Sequence, residues 1–177
     1  MDDPIPLLVI TGPVGMGKTT AMNEVAYRLE EAGLPHAAVD MDALRAAWPT
    51  PPGDRFGEAL GLRNLALVWR EFAAAGAARL VLADVMEEAA QRDRYARAVP
   101  GAIVTVARLR APVPVLQERV VARELGAGRD WHLARAAELA AQMDADRLED
   151  FIVETGGRTV AEIAREIVER WTGTSAR

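Results

Sequence analysis

The residues with the clearest chemistry are Gly12-Pro13-Val14-Gly15-Met16-Gly17-Lys18-Thr19, which match the spacing G-x-x-x-x-G-K-[ST]. Glycines in this pattern let backbone N–H groups close around phosphate oxygens, and a helix opening at the lysine turns its positive end on the same anion. Lys18 then reaches the β- and γ-phosphates, Thr19 offers a hydroxyl to Mg²⁺, and Thr20 donates to the α-phosphate. Lys18 is the single lysine among 21 basic residues, the rest being arginine. Arginine bias accounts for the other cations. It does not account for the exception, where a compact ammonium fits a tight loop that a planar guanidinium would overfill.

Three aspartates stand where apolar runs end: Asp40 and Asp42 after the second run, and Asp84 after the third. Ligands of open α/β sheets bind at the carboxyl ends of the strands, so both places are expected to face the phosphate loop. For Asp42 the bland reading is an N-cap before Ala43-Leu44-Arg45; Asp40 beside it, expected on the same strand face, favours chemistry. Arg45, Arg55 and Arg63 follow, and read as contacts to an acceptor with an anionic group or as plain surface.

Positioning these groups requires strands alternating with helices. Apolar runs predict strands at Pro6–Ile10, Ala37–Met41, Arg79–Asp84, Ala102–Leu109 and Phe151–Glu154. Between them, apolar residues three and four apart predict helices over Lys18–Glu31, from Ala43 through Trp48, Phe56–Ala75, a stretch with Arg92, Arg94 and Arg97, one with Arg119 and Arg123, His132–Asp144, and a last one ending near Trp171. Thr159-Val160-Ala161-Glu162 is a capping box for the last helix. Gly126-Ala127-Gly128 reads as a hinge. The pattern predicts a three-layer α/β/α domain with a five-stranded parallel sheet, one unit over 1–177, with a short helical lid near 119–135. Trp48, Trp69, Trp131 and Trp171 are read as core, with ring stacking beside the acceptor as the alternative for Trp48.

Composition closes other routes. At 177 residues the chain can bury a core without cross-links, and with no cysteine it has no disulfide, thiolate zinc site or cysteine nucleophile. Two distant histidines, His36 and His132, argue against a His-rich metal site. A net charge of -5 disfavours a nucleic-acid or membrane binder, and with it a polynucleotide kinase. An acidic N-terminus without a basic leader, and apolar runs of strand length only, lead to a cytoplasmic expectation. One lysine leaves no room for an Asn-Lys-x-Asp guanine-reading motif, and the length leaves none for motor modules.

The chain resembles the small-molecule P-loop kinases, the group of adenylylsulfate, shikimate and gluconate kinases and chloramphenicol phosphotransferase. The residues that carry the likeness are the phosphate loop, Val39-Asp40-Met41-Asp42-Ala43-Leu44-Arg45, Asp54-Arg55-Phe56 to Arg63-Asn64, and Arg119 to Glu124 with Gly126 to Asp130. The resemblance implies an adenylate-kinase-like fold and transfer of the γ-phosphoryl of Mg-ATP to a hydroxyl of a small molecule. It implies Asp42 at the acceptor hydroxyl, and Asp40 or Asp84 holding metal-bound water. Adenine is then expected between a lid arginine, Arg119 or Arg123, and the turn Thr155-Gly156-Gly157-Arg158. The lid arginines would also neutralise γ-phosphate charge; the plain reading is a solvated face paired with Glu118 or Glu124. Where adenylylsulfate kinases carry Ser-Pro-Tyr after strand 3, this chain has Asp84-Val85-Met86. A regulatory NTP-binding module without a small acceptor is the alternative function.

Overall fold

A computed structural model defines residues 4–112, 114–116, 118, 121 and 129–174, with 129–133 and 174 described by their backbone alone. Five strands, β1 (Ile5–Thr11), β2 (Ala37–Asp40), β3 (Leu80–Ala83), β4 (Ala102–Arg110) and β5 (Phe151–Glu154), form one parallel sheet in the order β2-β3-β1-β4-β5. The helices are α1 (Lys18–Glu31), α2 (Met41–Arg45), α3 (Glu58–Ala74), α4 (Ala90–Ala98), α5 (Arg129–Asp146) and α6 (Val160–Thr174). Parallel strands need crossovers, and these place helices on both faces.

The central strand shows why. Leu7, Leu8, Val9 and Ile10 are all fully buried, so β1 is apolar on both faces rather than alternating. Leu8 and Ile10 join Met22, Val25 and Leu29 of α1 and Ile163, Ile167 and Trp171 of α6 in one core layer. Leu7 and Val9 join Leu65 and Trp69 of α3 and Tyr95 of α4 in the other. Asp150 finishes the β4 edge: its N–H donates to the Val106 carbonyl (2.9 Å) and its carboxylate accepts from the Val106 N–H (2.6 Å). The capping box forms as the spacing predicts. The Glu162 carboxylate accepts from the Thr159 N–H and hydroxyl, each at 2.8 Å, and the Thr159 backbone donor leads in holding that carboxyl below its usual range.

The structure corrects several expectations. β2 stops at Asp40, and Met41 opens α2 instead of ending the strand, because the Asp40 carboxylate accepts from the Asp42 N–H (3.0 Å) as an N-cap. Asp42 therefore lies on a helix, not beside Asp40 on one strand face, and the cap is Asp40. α2 ends at Arg45, short of Trp48, and proline at 49 disfavours helical backbone at the residue before it. Trp69 and Trp171 are core as expected, but Trp48 is 92% exposed. Residues 129–135, expected in the lid, open α5, which continues unbroken to Asp146. Arg119, Arg123 and Gly126-Ala127-Gly128 lie outside the described residues, as does the side chain of Trp131. No helix among the described residues is long and apolar enough to cross a membrane.

Trp171 fills the seam between α1, α6 and the sheet. Trp171→Ala is expected to lower the unfolding free energy by about 3–5 kcal/mol, read as a fall in urea midpoint with an unchanged m-value.

Candidate active site

The phosphate loop begins where β1 leaves the sheet. Gly12 has φ 152°, and a Cβ there would sit 2.9 Å from the Leu109 carbonyl oxygen of β4, so a side chain would push the loop off its neighbouring strand. The loop closes on itself through the Met16 N–H and the Pro13 carbonyl (3.2 Å), and the first turn of α1 follows at once, the Ala21 N–H donating to Gly17 (2.9 Å). Lys18 curls back over this cup and donates to the carbonyls of Gly12 (3.0 Å) and Pro13 (3.2 Å). Val14 and Gly15 form the turn of the cup, and Thr20 is exposed at the start of α1. The start of α1 and the Lys18 ammonium thus meet at the loop, the kind of place where a helix N-terminus takes an anion.

Thr19 and Asp40, 21 residues apart, meet across the edge of the loop: the Thr19 hydroxyl donates to Asp40 Oδ2 at 2.7 Å. A hydroxyl and a carboxylate oxygen at this distance are a hard-oxygen donor pair suited to Mg²⁺, which keeps several waters and takes few protein ligands. No group of three or more His, Cys, Asp or Glu side chains placed to hold a metal ion occurs among the described residues. The Asp42 side chain is 83% exposed and lies 3.6 Å from Arg45 Nη1.

Asp84 has a different environment. Its side chain is fully buried, and Oδ2 accepts from Arg45 Nη2 and from the Tyr95 hydroxyl, both at 2.5 Å, while Oδ1 accepts from the Val85 N–H at 2.8 Å. Burial pushes its carboxyl up from the ordinary value, against the Arg45 charge and these three donors. Burial works against the Arg45 charge as well, but Asp84 outweighs it and Arg45 stays above its usual range. Burial, then the adjacent carboxylate, holds the Tyr95 hydroxyl well above its ordinary value. Asp84 and Arg45, expected at substrate or metal, are thus joined to each other. Tyr95 was missed by the sequence reading, although its place on the buried side of α4 with Gln91 and Ala98 requires a partner for its hydroxyl.

Of the remaining candidates, Arg63 lies on the exposed side of α3. Arg158 donates to the carbonyls of Glu154 (2.9 Å) and Glu162 (3.1 Å) and pairs with Glu166 at 2.7 Å, which ties its guanidinium to the start of α6. Gly156 and Gly157 are exposed backbone after β5. Glu87, after β3, pairs with Arg135 of α5 at 2.6 Å, a link across 48 residues that no local pattern announces.

A cavity of about 360 Å³ opens beside the loop, bounded by Pro13, Met16, Arg108, Pro112, Met143 and Glu154. Arg108 is 4% exposed there; it pairs with Asp144, and its Nη1 has no hydrogen-bond partner among the described residues. Apolar groups share the lining with the charged side chains of Arg108, Arg110, Asp144 and Glu154.

Removing the carboxylate from the buried pair leaves Arg45, the Tyr95 hydroxyl and the Val85 N–H unmatched. Asp84→Ala is expected to cost about 3–5 kcal/mol in urea unfolding, and a second change, Arg45→Met, to restore part of it. A fully additive double variant would show that the pair is not coupled.

No family model matches the sequence, and no curated protein matches it. Solved structures do. A gluconokinase from Sinorhizobium meliloti superposes with a TM-score of 0.64 at 19% identity, covering 98% of this chain and 95% of that one. The APS kinase of Mycobacterium tuberculosis, solved with AMPPNP and APS, gives 0.64 at 20% identity over 95% and 98%. The tunicamycin resistance protein of Deinococcus radiodurans gives 0.65 at 19% identity over 94% and 95%. With the strand order and the loop at the end of β1, these likenesses show that the chain has the fold of the P-loop small-molecule kinases.

Proposed function

We propose that the protein transfers the γ-phosphoryl group of ATP, bound with Mg²⁺, to a hydroxyl of a small molecule. The observation that carries this reading is the division of labour between Asp40 and Asp42. Asp40 is committed to Thr19 and to the cap of α2, whereas Asp42, two residues on, extends into solvent at the same end of the sheet. One carboxylate is held against the phosphate loop, and the other is accessible to an acceptor.

In this scheme the cup from Gly12 to Gly17 holds the phosphates through its N–H groups, and Lys18 exchanges its two carbonyl partners for phosphate oxygens. Thr19, with Asp40 behind it, would hold Mg²⁺, which supplies charge neutralisation between the β- and γ-phosphates. Asp42 orients the acceptor hydroxyl and takes its proton as the new O–P bond forms. The bond from the γ-phosphorus to the bridging oxygen breaks, and ADP leaves. The nucleoside is assigned to the space between the turn at Gly156 and Gly157 and the cavity beside the loop. Arg119 and Arg123 are proposed at the nucleotide on the strength of the family resemblance alone. A gluconokinase, an APS kinase and shikimate kinases among the fold neighbours support phosphoryl transfer to small acceptors as the reaction type.

ADP release from Mg-ATP, measured over pooled hydroxylated compounds, tests the proposal. An acceptor-dependent signal is expected, and Lys18→Ala should abolish it; a lysine variant with normal turnover would overturn the reading. Asp42→Asn should lower kcat by about 10²-fold to 10⁴-fold with ATP binding retained, the range for loss of a general base. Asp40→Asn should instead raise the Mg²⁺ concentration needed for half-maximal rate, read from a magnesium titration at fixed ATP.

A further inference from the structure

Asp42 extends into water, yet the helix that carries it is only five residues long and buries just Met41. So short a helix has too little apolar face to fix its own rotation against the molecule. Its last residue supplies what is missing. Arg45 follows Asp42 by three positions, so the two side chains share one side of α2, and Arg45 Nη1 lies 3.6 Å from Asp42 Oδ1. Where the guanidinium is anchored, the direction of Asp42 follows.

The anchor lies deeper. Arg45 Nη2 donates to Asp84 Oδ2 at 2.5 Å, the Tyr95 hydroxyl donates to the same oxygen at 2.5 Å, and the Val85 N–H occupies Oδ1 at 2.8 Å. Arg45 Nε has no hydrogen-bond partner among the described residues, so the two Nη groups carry the pairing of this guanidinium. Its stem is confined as well. A Cβ at Gly61 of α3 would lie 2.9 Å from Arg45 Cγ, and one at Gly57 would lie 3.1 Å from Arg45 Cβ. Asn64 of α3 donates to the Leu44 carbonyl at 2.8 Å. Tyr95 is buried in the core layer that holds Leu65, Trp69 and Met86, and burial with the adjacent carboxylate keeps its hydroxyl protonated and donating. The series thus runs from core to water: Tyr95 and the Asp84 side chain are buried, Arg45 is 18% exposed, and Asp42 lies mostly in solvent.

We propose that Asp84 and Tyr95 are positioning residues for phosphoryl transfer, acting through Arg45 on the place of Asp42. The inference rests on the phosphotransfer reading and deepens it by naming what aims the carboxylate at the acceptor hydroxyl. A base moved by about 1 Å from its working distance loses up to about 10²-fold of its effect, so a short helix that carries one needs an external brace. The phenol matters because Asp84 Oδ2 is held between donors from two different elements. With the hydroxyl gone, the carboxylate has an unmet lone pair in a dry site and reorients toward its remaining donors, taking Arg45 with it.

Tyr95→Phe keeps the ring and deletes only the hydroxyl. With the hydroxylated pool and saturating Mg-ATP, its maximal rate of ADP release per folded molecule is expected to fall about tenfold, while the KM for ATP moves less than twofold. Ile167→Val, a change in the core layer on the opposite face of the sheet, should lose stability and keep that rate. In an Asp42→Asn background the Tyr95→Phe change should cost less than about twofold, because the group it positions is already gone. Independently of turnover, hydrogen exchange at the Asp42 N–H, which donates to the Asp40 carboxylate, should quicken at least about fivefold in Tyr95→Phe and not in Ile167→Val. A rate loss that is additive with Asp42→Asn, an unchanged rate in Tyr95→Phe, or an unchanged exchange at Asp42 overturns the positioning role and keeps the kinase. No ADP release by the wild type with any pool overturns the phosphotransfer reading, and the positioning role with it.

Discussion

A fully buried carboxylate at the end of β3 holds α2 and α4 against the sheet. Asp84 receives a guanidinium from α2, a phenol from α4 and a backbone N–H from its own strand end. Three segments distant in sequence are thereby held at one point. A charge in that position is costly unless every lone pair is met, so the arrangement tolerates little displacement of any partner. Because α2 carries Asp42 and is capped by Asp40, the placement of both carboxylates follows from a contact that neither of them makes.

The loop after β1 rests on a different constraint, since its backbone approaches β4 so closely that Gly12 has no room for a side chain. A hydrogen bond between Thr19 and Asp40 links the start of α1 to the end of β2. Asp40 thus serves structure and site together: one oxygen ends the strand and starts the helix, and the other faces the loop. Asp42 keeps most of its side chain in water and lies 3.6 Å from Arg45 Nη1, while Arg45 itself is drawn toward the buried Asp84 carboxylate.

Local signals carried much of the architecture. The apolar run of β1 and the glycine-lysine pattern lie within one short segment, where backbone geometry and side-chain chemistry are set by near neighbours. The remaining strands are legible to within about two residues because each is a short apolar run, buried throughout in β3 and on alternate residues in β2 and β5. The capping box at Thr159 and Glu162 is legible for the same reason. Met41 was misplaced because an N-cap and a strand end look alike when the cap is itself the last strand residue.

The layered α/β/α fold and the tight glycine turn before Lys18 are written in periodicity and in contacts a few residues apart. Which charges remain available depends instead on contacts between distant segments. The pairing of Arg45 with Asp84 spans 39 residues, Tyr95 enters from a third element, and Glu87 reaches Arg135 across 48. Tertiary structure also decided that Trp48 faces water rather than the core, since residue type favours burial and only the course of the loop from Arg45 back to Gly57 keeps the ring outside. A side chain's chemistry is local, but its availability is fixed by what the rest of the chain brings against it.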